Sequence, residues 1–210
     1  MQKILFILCF LPTIFVSSQN WDINTLKKIN NWDNGFIRNS SKVLSSTTPY
    51  VAIGVPAVMA IYGGIVKNEP LLKNALYVGS SVFEAIVLTY SMKYMIDRER
   101  PFEKYPDKID PRHRPSSSSF PSAHTAMAFS LATSLSIKYP KWYVIAPSAT
   151  WACAVGIARL NDGVHYPSDV IAGAVVGAGC AVVNIYINHW MQTWLFPQKK
   201  TATNNIVAWY

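Results

Sequence analysis

The stretch VIAGAVVGAGCAVVNIYINHWMQTW, residues 170–194, decides the fold of this chain. An α-helix needs about 20 predominantly apolar residues to cross the hydrocarbon core of a bilayer, and this stretch supplies them. Gly173 and Gly177 have the small-xxx-small spacing that lets two helices approach closely. The stretch therefore predicts a transmembrane helix that packs tightly against a neighbour.

Four more apolar segments precede it, at residues 50–66, 71–96, 121–137 and 142–158. Each is near the length of a membrane-spanning helix, and a helix satisfies its own backbone polar groups where no water is present. The predicted fold class is therefore all-α, an integral membrane bundle of about five transmembrane helices.

The composition agrees with a membrane protein. Hydrophobic residues make up 50% of the 210 residues and charged residues only 14%, whereas soluble domains carry roughly 25% charged residues. The formal net charge of +8 fits an anionic substrate or anionic lipid. Nucleic acid is disfavoured because the basic residues lie between apolar spans. The three cysteines have no disulfide or metal-binding spacing.

The ends of the chain are predicted to lie outside the catalytic bundle. Residues 1–18 have the pattern of a signal peptide, with Lys3 before an apolar stretch of about 13 residues, too short for a full span. Cleavage is favoured over retention as an anchor. Residues 19–49 are an amphipathic segment that either lies in the headgroup region or packs on the protein. Residues 50–196 are the expected transmembrane catalytic domain, followed by a tail at 197–210.

Three short polar blocks stand beside the ends of the apolar spans. They read Lys93-x6-Arg100-Pro101, Pro121-Ser122-Ala123-His124 and Arg159-x5-His165-x3-Asp169. Helices that alternate in direction bring all three blocks to the same face of the membrane. A cleaved signal peptide places that face outside the cytoplasm, which predicts a bacterial inner-membrane protein with a periplasmic active site.

The first block predicts a pair of cations for a phosphate group. Lys93 and Arg100 are seven residues apart, so on one continuous helix they project from the same face, about 10 Å apart along the axis. Pro101 is expected to end that helix. Arg98 points elsewhere on the helical wheel and is set aside, with its acidic sequence neighbours as expected partners.

The second block predicts an anion site at a helix start. Pro121 is expected at the first helical position. The backbone N–H groups of residues 122–124 and the Ser122 hydroxyl then face an anion. His124, in the same turn, can hand a proton to a leaving oxygen.

The third block predicts an oriented nucleophile. Pro167 marks the start of the last helix, which places Asp169 in its first turn and His165 just before it. Asp169 can hold one imidazole nitrogen of His165 and leave the other free to attack.

The blocks together resemble the type 2 phosphatidic acid phosphatase and vanadium haloperoxidase superfamily, in its membrane-bound lipid phosphatase branch. The pattern of that family is K-x6-R-P, P-S-G-H and S-R-x5-H-x3-D, and the resemblance covers residues 93–169 with all spacings met. Two positions depart from it. Ala123 replaces a glycine but keeps the backbone N–H, and Ala158 replaces the serine before Arg159, which bears on substrate preference.

The resemblance implies a role for each matched residue. The residues implied to hold the phosphoryl oxygens are Lys93, Arg100, Ser122, Ala123 and Arg159. His165 would attack phosphorus to form a phosphohistidine. His124 would protonate the leaving alkoxide and then activate water, while Asp169 orients His165. The family chemistry needs no metal and no other cofactor.

The implied substrate is a lipid phosphate or diphosphate drawn from the membrane: phosphatidate, phosphatidylglycerophosphate, undecaprenyl diphosphate or lipid A phosphate. Two alternatives stay open. One is a vanadate-dependent haloperoxidase-like enzyme, although such relatives are soluble. The other is a non-catalytic lipid-binding or transport protein, against which the intact His124, His165 and Asp169 count. Nothing in the pattern indicates an oligomeric state.

Three titratable residues lie outside the blocks. Glu84 is in the middle of a span and is interpreted as structural, hydrogen-bonded or protonated. His113 is interpreted as a surface residue of the polar loop at residues 101–120, and His189 as an anchor near the opposite interface.

Overall fold

The computed structural model describes residues 19–195 of the chain. Over that range it has seven α-helices and no β-strand, which confirms the all-α class. The helices are α1 (Gln19–Asn30), α2 (Gly35–Ile65), α3 (Glu69–Ile96), α4 (Pro101–Lys104), α5 (Ala123–Lys138), α6 (Trp142–Asn161) and α7 (Pro167–Leu195). The predicted signal peptide and C-terminal tail lie outside the described residues.

Four segments of the described chain are long and apolar enough to cross a membrane. They are α2, α3 together with α4, α6, and residues 167–189 of α7. The fifth expected span, residues 121–137, corresponds to α5, which has only 16 residues. At about 24 Å, α5 is shorter than the roughly 30 Å of a hydrocarbon core. Where the sequence predicted about five spans, the described residues therefore form four long helices and one shorter helix.

The short helix α5 is the centre of the bundle. It packs against α2, α3, α6 and α7. Ala126, Met127 and Ala128 follow one another around the helix, and all three are buried. A helix that is buried on every side is a core helix rather than a surface one. The position of α5 fixes the depth at which its first residues meet the ends of the neighbouring helices.

The contact between α5 and α7 depends on two glycines. A Cβ atom at Gly173 would lie 2.5 Å from the carbonyl oxygen of Ser122, and one at Gly177 would collide with the carbonyl oxygen of Ala126. Both glycines therefore let the two backbones touch directly, as the small-xxx-small spacing predicts.

Helix α1 packs on the protein, as one of the two interpretations of the amphipathic segment expects. Leu26 is fully buried in a cluster with residues from α4, α6, the loop between α4 and α5, and the loop between α6 and α7. The Asn30 side-chain amide donates to the carbonyl oxygens of Asp110 and Asn161, at 3.0 and 2.9 Å. Helix α1 is therefore joined to the end of the bundle that carries the polar blocks.

Helix α2 begins well before the first predicted span. Its N-cap is Asn34, whose side-chain oxygen accepts a hydrogen bond from the backbone N–H of Phe36 at 2.9 Å. Residues 35–49, expected in a separate amphipathic segment, therefore continue without interruption into the membrane-spanning part. They include Ser41, Ser45 and Thr48, all buried against the bundle.

The expectation of one continuous helix from Lys93 to Arg100 is wrong. Helix α3 ends at Ile96, and Asp97 has a left-handed backbone with φ of 42°. Pro101 does not end a helix but begins the one-turn helix α4, in keeping with the preference of proline for the first turn. Lys93 and Arg100 consequently reach the site from two different backbone segments.

Substitution of Gly177 by alanine should destabilise the bundle, because the added Cβ collides with the backbone of α5. We expect a loss of about 1–3 kcal/mol, the usual cost of overpacking, measured as a lower midpoint of thermal unfolding in detergent. Gly179→Ala is the matched control, since it lies on the same helix and its Cβ would meet nothing within 4 Å. Equal midpoints for the two variants would contradict this account of the α5–α7 contact.

Candidate active site

The three polar blocks meet at one end of the bundle. The start of α5 touches the start of α7, because the backbone N–H of Ser122 donates to the carbonyl oxygen of Asp169 at 3.0 Å. Arg100 reaches the segment between α6 and α7, where its guanidinium donates to the carbonyl oxygen of Val164 at 2.8 Å. The structure thus brings all eight predicted site residues to the same end of the bundle, where α3, α4, α5, α6 and α7 meet.

Lys93 and Arg100 are buried and bind the loop that precedes α5. The ammonium group of Lys93 donates to the carbonyl oxygens of Ser118 and Ser119. Arg100 donates through Nε to the carbonyl oxygen of Ser117 at 2.7 Å. These partners are neutral carbonyl groups, so the two positive charges remain available to an anion nearby.

The second block is placed differently from the prediction. Helix α5 begins at Ala123 with Ser122 as its N-cap, so Pro121 precedes the helix instead of opening it. The N–H of Ser122 is not free, because it donates to Asp169, and its hydroxyl accepts a hydrogen bond from Thr125 at 3.0 Å. The first N–H groups of the helix itself, from Ala123 onwards, have no partner within the helix and are the ones suited to an anion.

His165 and Asp169 are adjacent and buried. The Nδ1 atom of His165 lies 3.5 Å from a carboxylate oxygen of Asp169, a close contact that lacks hydrogen-bond geometry. The same oxygen accepts the backbone N–H of Tyr166 at 2.9 Å and the hydroxyl of Ser119. This arrangement directs Nδ1 of His165 towards the carboxylate and leaves Nε2 as the nitrogen that can act on a ligand.

The His165 imidazole is held in its neutral form. Burial lowers the pKa of His165 to about 3, and the positive charge of Arg159 acts in the same direction, against the opposing influence of the Asp169 carboxylate. At neutral pH the ring therefore carries a lone pair, which is the state that a nucleophile requires.

Arg159 is held by an acidic residue that the sequence analysis did not single out. Its guanidinium lies 3.3 Å from a carboxylate oxygen of Asp162, and that oxygen also accepts the hydroxyl of Ser45 from α2 at 2.5 Å. Its terminal nitrogen lies 3.5 Å from Nε2 of His113, while its Nε is buried without a hydrogen-bond partner. An orphaned buried donor of this kind favours an anionic ligand.

A cavity of about 930 Å³ opens at this end of the bundle. His124, Arg159 and Asp162 line its polar part, and His113 joins them. His113 is exposed, as interpreted from the sequence, but the loop folds back and carries this ring to the cavity beside Arg159. No local sequence pattern pointed to this, since the loop and Arg159 are far apart in the chain.

One face of α2 forms a long wall of the same cavity. Its residues change character along the helix, from charged to hydroxyl-bearing to apolar: Arg38, Lys42, Ser45, Ser46, Pro49, Tyr50, Ile53 and Gly54. They recur at the three- and four-residue spacing of a single helix face. The cavity therefore has a cationic rim at the helix start and an apolar side within the span.

Three other residues are placed as follows. Arg98, which the sequence analysis set aside, binds the Asp169 carboxylate at 2.5 Å. Glu84 faces an apolar groove between α3 and α7, lined by Phe83, Val87 and Val175 among others, and takes no part in the site. His189 is exposed near the other end of α7.

The arrangement can bind a tetrahedral oxyanion beside a neutral imidazole. Positive charge comes from Lys93, Arg100 and Arg159, and hydrogen-bond donors come from the start of α5. Among residues 19–195, no group of three or more histidine, cysteine, aspartate or glutamate side chains has a geometry suited to a metal ion.

Comparison with known sequences places the chain among membrane phosphatases. The sequence pattern of the PAP2 superfamily matches residues 74–194, more than half of the chain. The chain is 30% identical to an undecaprenyl-diphosphatase of Sulfolobus acidocaldarius over 138 residues, which is 66% of this chain and 64% of that protein. It is 44% identical to a lipid A 1-phosphatase of Porphyromonas gingivalis over 62 residues, 28% of this chain and 14% of that protein. The chain thus spans less than two thirds of the length of these relatives.

Two solved structures share the fold. LpxE of Aquifex aeolicus superposes with a TM-score of 0.66 at 24% identity, covering 79% of this chain and 95% of that one. The transmembrane PAP2 type phosphatidylglycerolphosphate phosphatase of Bacillus subtilis gives a TM-score of 0.66 at 22% identity, with 90% and 94% covered. At these identities the likeness concerns the fold.

Orthovanadate, an analogue of the tetrahedral phosphoryl group, should raise the thermal unfolding midpoint of the purified protein. Arg159→Gln should weaken vanadate binding by about 1.5–3 kcal/mol, the value of a hydrogen bond to a charged group, because the unpartnered Nε and the positive charge are lost. The shift is measured relative to the midpoint of each variant without vanadate. Arg114→Gln is the control, since Arg114 lies over the ring of Phe102 outside the cavity. An equal vanadate shift in Arg159→Gln and wild type would exclude Arg159 from the anion site.

Proposed function

The chain belongs to the PAP2 superfamily, and on that premise we propose that it is a membrane phosphatase that hydrolyses lipid phosphate monoesters or diphosphates through a phosphohistidine intermediate. A phosphatase of this family is the coarse assignment on which the comparisons agree. The choice of a lipid substrate, the nucleophile and the face of the membrane are the parts that we add.

The cavity wall on α2 is the observation that carries the proposal. Arg38 and Lys42 lie at the mouth, and Tyr50 and Ile53 lie about two to four helical turns further into the span. Arg159 and His124 line the polar end of the same cavity. A molecule with an anionic head and an apolar chain matches this sequence of charged and apolar surface. A small water-soluble phosphate ester would leave the apolar wall unused.

The first chemical step would be attack by Nε2 of His165 on phosphorus. A bond forms between nitrogen and phosphorus while the bond from phosphorus to the lipid oxygen breaks. His124, which takes up a proton when the anionic substrate binds beside it, gives that proton to the departing oxygen, so that the lipid leaves as an alcohol, or as a monophosphate when the substrate is a diphosphate. Asp169 holds Nδ1 of His165 and stabilises the positive charge that develops on the ring.

The second step would be hydrolysis of the phosphohistidine. His124, now neutral, takes a proton from a water molecule that attacks phosphorus, and the nitrogen–phosphorus bond breaks. Inorganic phosphate leaves, and both histidines return to their starting states. The charges of Lys93, Arg100 and Arg159 offset the negative charge of each transition state. No step of this scheme calls for a metal ion or an organic cofactor.

The proposed substrates match the charged and apolar parts of the cavity wall. Undecaprenyl diphosphate and the phosphates of lipid A, which the names of relatives mention, and phosphatidate or phosphatidylglycerophosphate all combine an anionic head with long apolar chains. The cations at the rim, Arg38, Lys42 and Arg112, suit such heads. With a cleaved signal peptide, this end of the bundle faces the periplasm of a bacterial cell, which is the localisation that we propose.

Substitution of His165 by alanine should abolish release of inorganic phosphate, because no other side chain is placed to form the covalent intermediate in our scheme. When the wild-type protein reacts with a radiolabelled lipid phosphate and the reaction is quenched, label should be trapped on the protein in a linkage that is stable in base and labile in acid. His189→Ala removes a histidine near the other end of α7 and should leave both phosphate release and protein labelling unchanged. Label retained in His165→Ala would show that another residue is the nucleophile.

The apolar wall gives a test of the lipid assignment that leaves the chemistry untouched. Ile53→Gln should lower kcat/KM for a long-chain lipid phosphate by about tenfold, equivalent to about 1.4 kcal/mol and in the range of one lost apolar side-chain contact, with little effect on a short-chain ester. Ile61→Gln is the matched control, because Ile61 is on the same helix at similar exposure, 64% against 57% for Ile53, but outside the cavity. Equal losses on both esters would argue against chain binding at this wall.

A further inference from the structure

Arg98 lies at the centre of an ion network that reaches the Asp169 carboxylate. It stands between α3 and α4, where the left-handed turn at Asp97 redirects the chain. One terminal nitrogen of its guanidinium donates to Oδ1 of Asp169 at 2.5 Å and to the hydroxyl of Ser168 at 2.7 Å. The guanidinium also lies 4.0 Å from the centre of the Tyr166 ring, which fixes its plane.

The other terminal nitrogen of Arg98 is held by helix α1. It donates to a carboxylate oxygen of Asp22 at 3.1 Å. Asp22 is buried and also accepts two hydrogen bonds from Ser168, from the backbone N–H at 3.0 Å and from the hydroxyl at 2.5 Å. Asp22 therefore stabilises the first turn of α7 from outside that helix, and it does so next to Asp169.

The two oxygens of Asp169 have separate partners. Oδ2 accepts from Ser119 and from the Tyr166 N–H, and it is the oxygen that faces Nδ1 of His165. Among the hydrogen bonds of residues 19–195, Oδ1 is held by Arg98. Because a carboxylate is planar, fixing Oδ1 fixes the direction in which Oδ2 points. Arg98 also supplies the positive charge that a fully buried carboxylate requires.

We infer that Arg98 is a positioning residue that sets the Asp169 carboxylate against His165, and that Asp22 makes the N-terminal helix α1 part of the active site. The inference rests on the proposed phosphohistidine function for its effect on turnover. Arg98 itself does not contact the cavity or the reacting atoms. Its effect passes through Asp169, so it should change the rate of the chemical step rather than the binding of the lipid.

The kinetic test uses the full-length protein in detergent with a long-chain lipid phosphate. Arg98→Ala should lower kcat by about 10- to 100-fold, as the loss of a residue that orients a catalytic group does, with KM changed by less than about twofold. Arg98→Lys keeps the charge but not the fork that joins two carboxylates, so an intermediate kcat is expected. Asp22→Asn keeps the acceptor for Ser168 and should cost less than Arg98→Ala.

Chemical rescue separates positioning from a general loss of structure. A cavity of about 140 Å³, lined by Glu99, Lys104, Tyr105 and Tyr166, opens onto Arg98 from the outside. Free guanidinium at a sub-denaturing concentration should therefore restore part of the activity of Arg98→Ala. It should have no effect on His165→Ala or on the control Arg114→Ala. A wild-type kcat in Arg98→Ala, or a loss confined to KM, would overturn the inference.

Nitrogen-15 NMR of labelled histidine gives a readout that does not need turnover. The protein has four histidines, and the resonances of His165 are assigned as those that disappear in His165→Asn. Arg98→Ala and Arg98→Lys should both shift the Nδ1 resonance of His165, whereas Arg114→Ala should not. An unchanged resonance would refute positioning through Asp169. If the two Arg98 variants show the expected shifts but the wild-type protein releases no phosphate, the proposed function is refuted while the positioning role of Arg98 stands.

Discussion

The buried carboxylate of Asp169 is the constraint on which the rest of the site depends. An anion removed from water destabilises a fold unless donors and positive charge surround it. Its side chain accepts hydrogen bonds from Arg98, Ser119 and the Tyr166 N–H, and its carbonyl oxygen accepts the Ser122 N–H. One residue therefore joins the α3–α4 junction, the loop before α5, the start of α5 and the start of α7. Disturbing any of these segments changes the surroundings of His165.

The cations follow a different pattern from the carboxylates. Lys93 and Arg100 are satisfied by backbone carbonyl oxygens, which complete their hydrogen bonds without cancelling their charge. Arg159 shares a single carboxylate oxygen with Ser45 and keeps one donor unused. A site built in this way is already polarised for an anion before one binds, so little rearrangement is needed in the transition state. Burial, with the positive charge of Arg159 in addition, lowers the pKa of His165 and keeps its imidazole neutral.

The apolar spans and the three blocks could be predicted from the sequence because both are local patterns. The break between Lys93 and Arg100 could not, since its left-handed residue is Asp97 rather than glycine. The partners of Arg98 could not be found either. Asp22 lies 76 residues from Arg98 in the chain. The acidic residues next to Arg98 in the sequence were the expected partners, and that expectation was wrong. Asp162 and Ser45 were missed for the same reason, as they meet only after α2 packs against the end of α6.

Helix α2 links the site to the state of the membrane. Its 31 residues make it about 46 Å long, well beyond a hydrocarbon core of roughly 30 Å, so one helix contains both the apolar span and the wall of the site. The same helix carries Ser45, which touches the carboxylate that holds Arg159. A change in the bend of α2, which contains Pro49 and Pro56, would therefore be transmitted to the Asp162 carboxylate beside Arg159. The lipids that surround α2 are therefore part of the environment of the site, not only a support for the bundle.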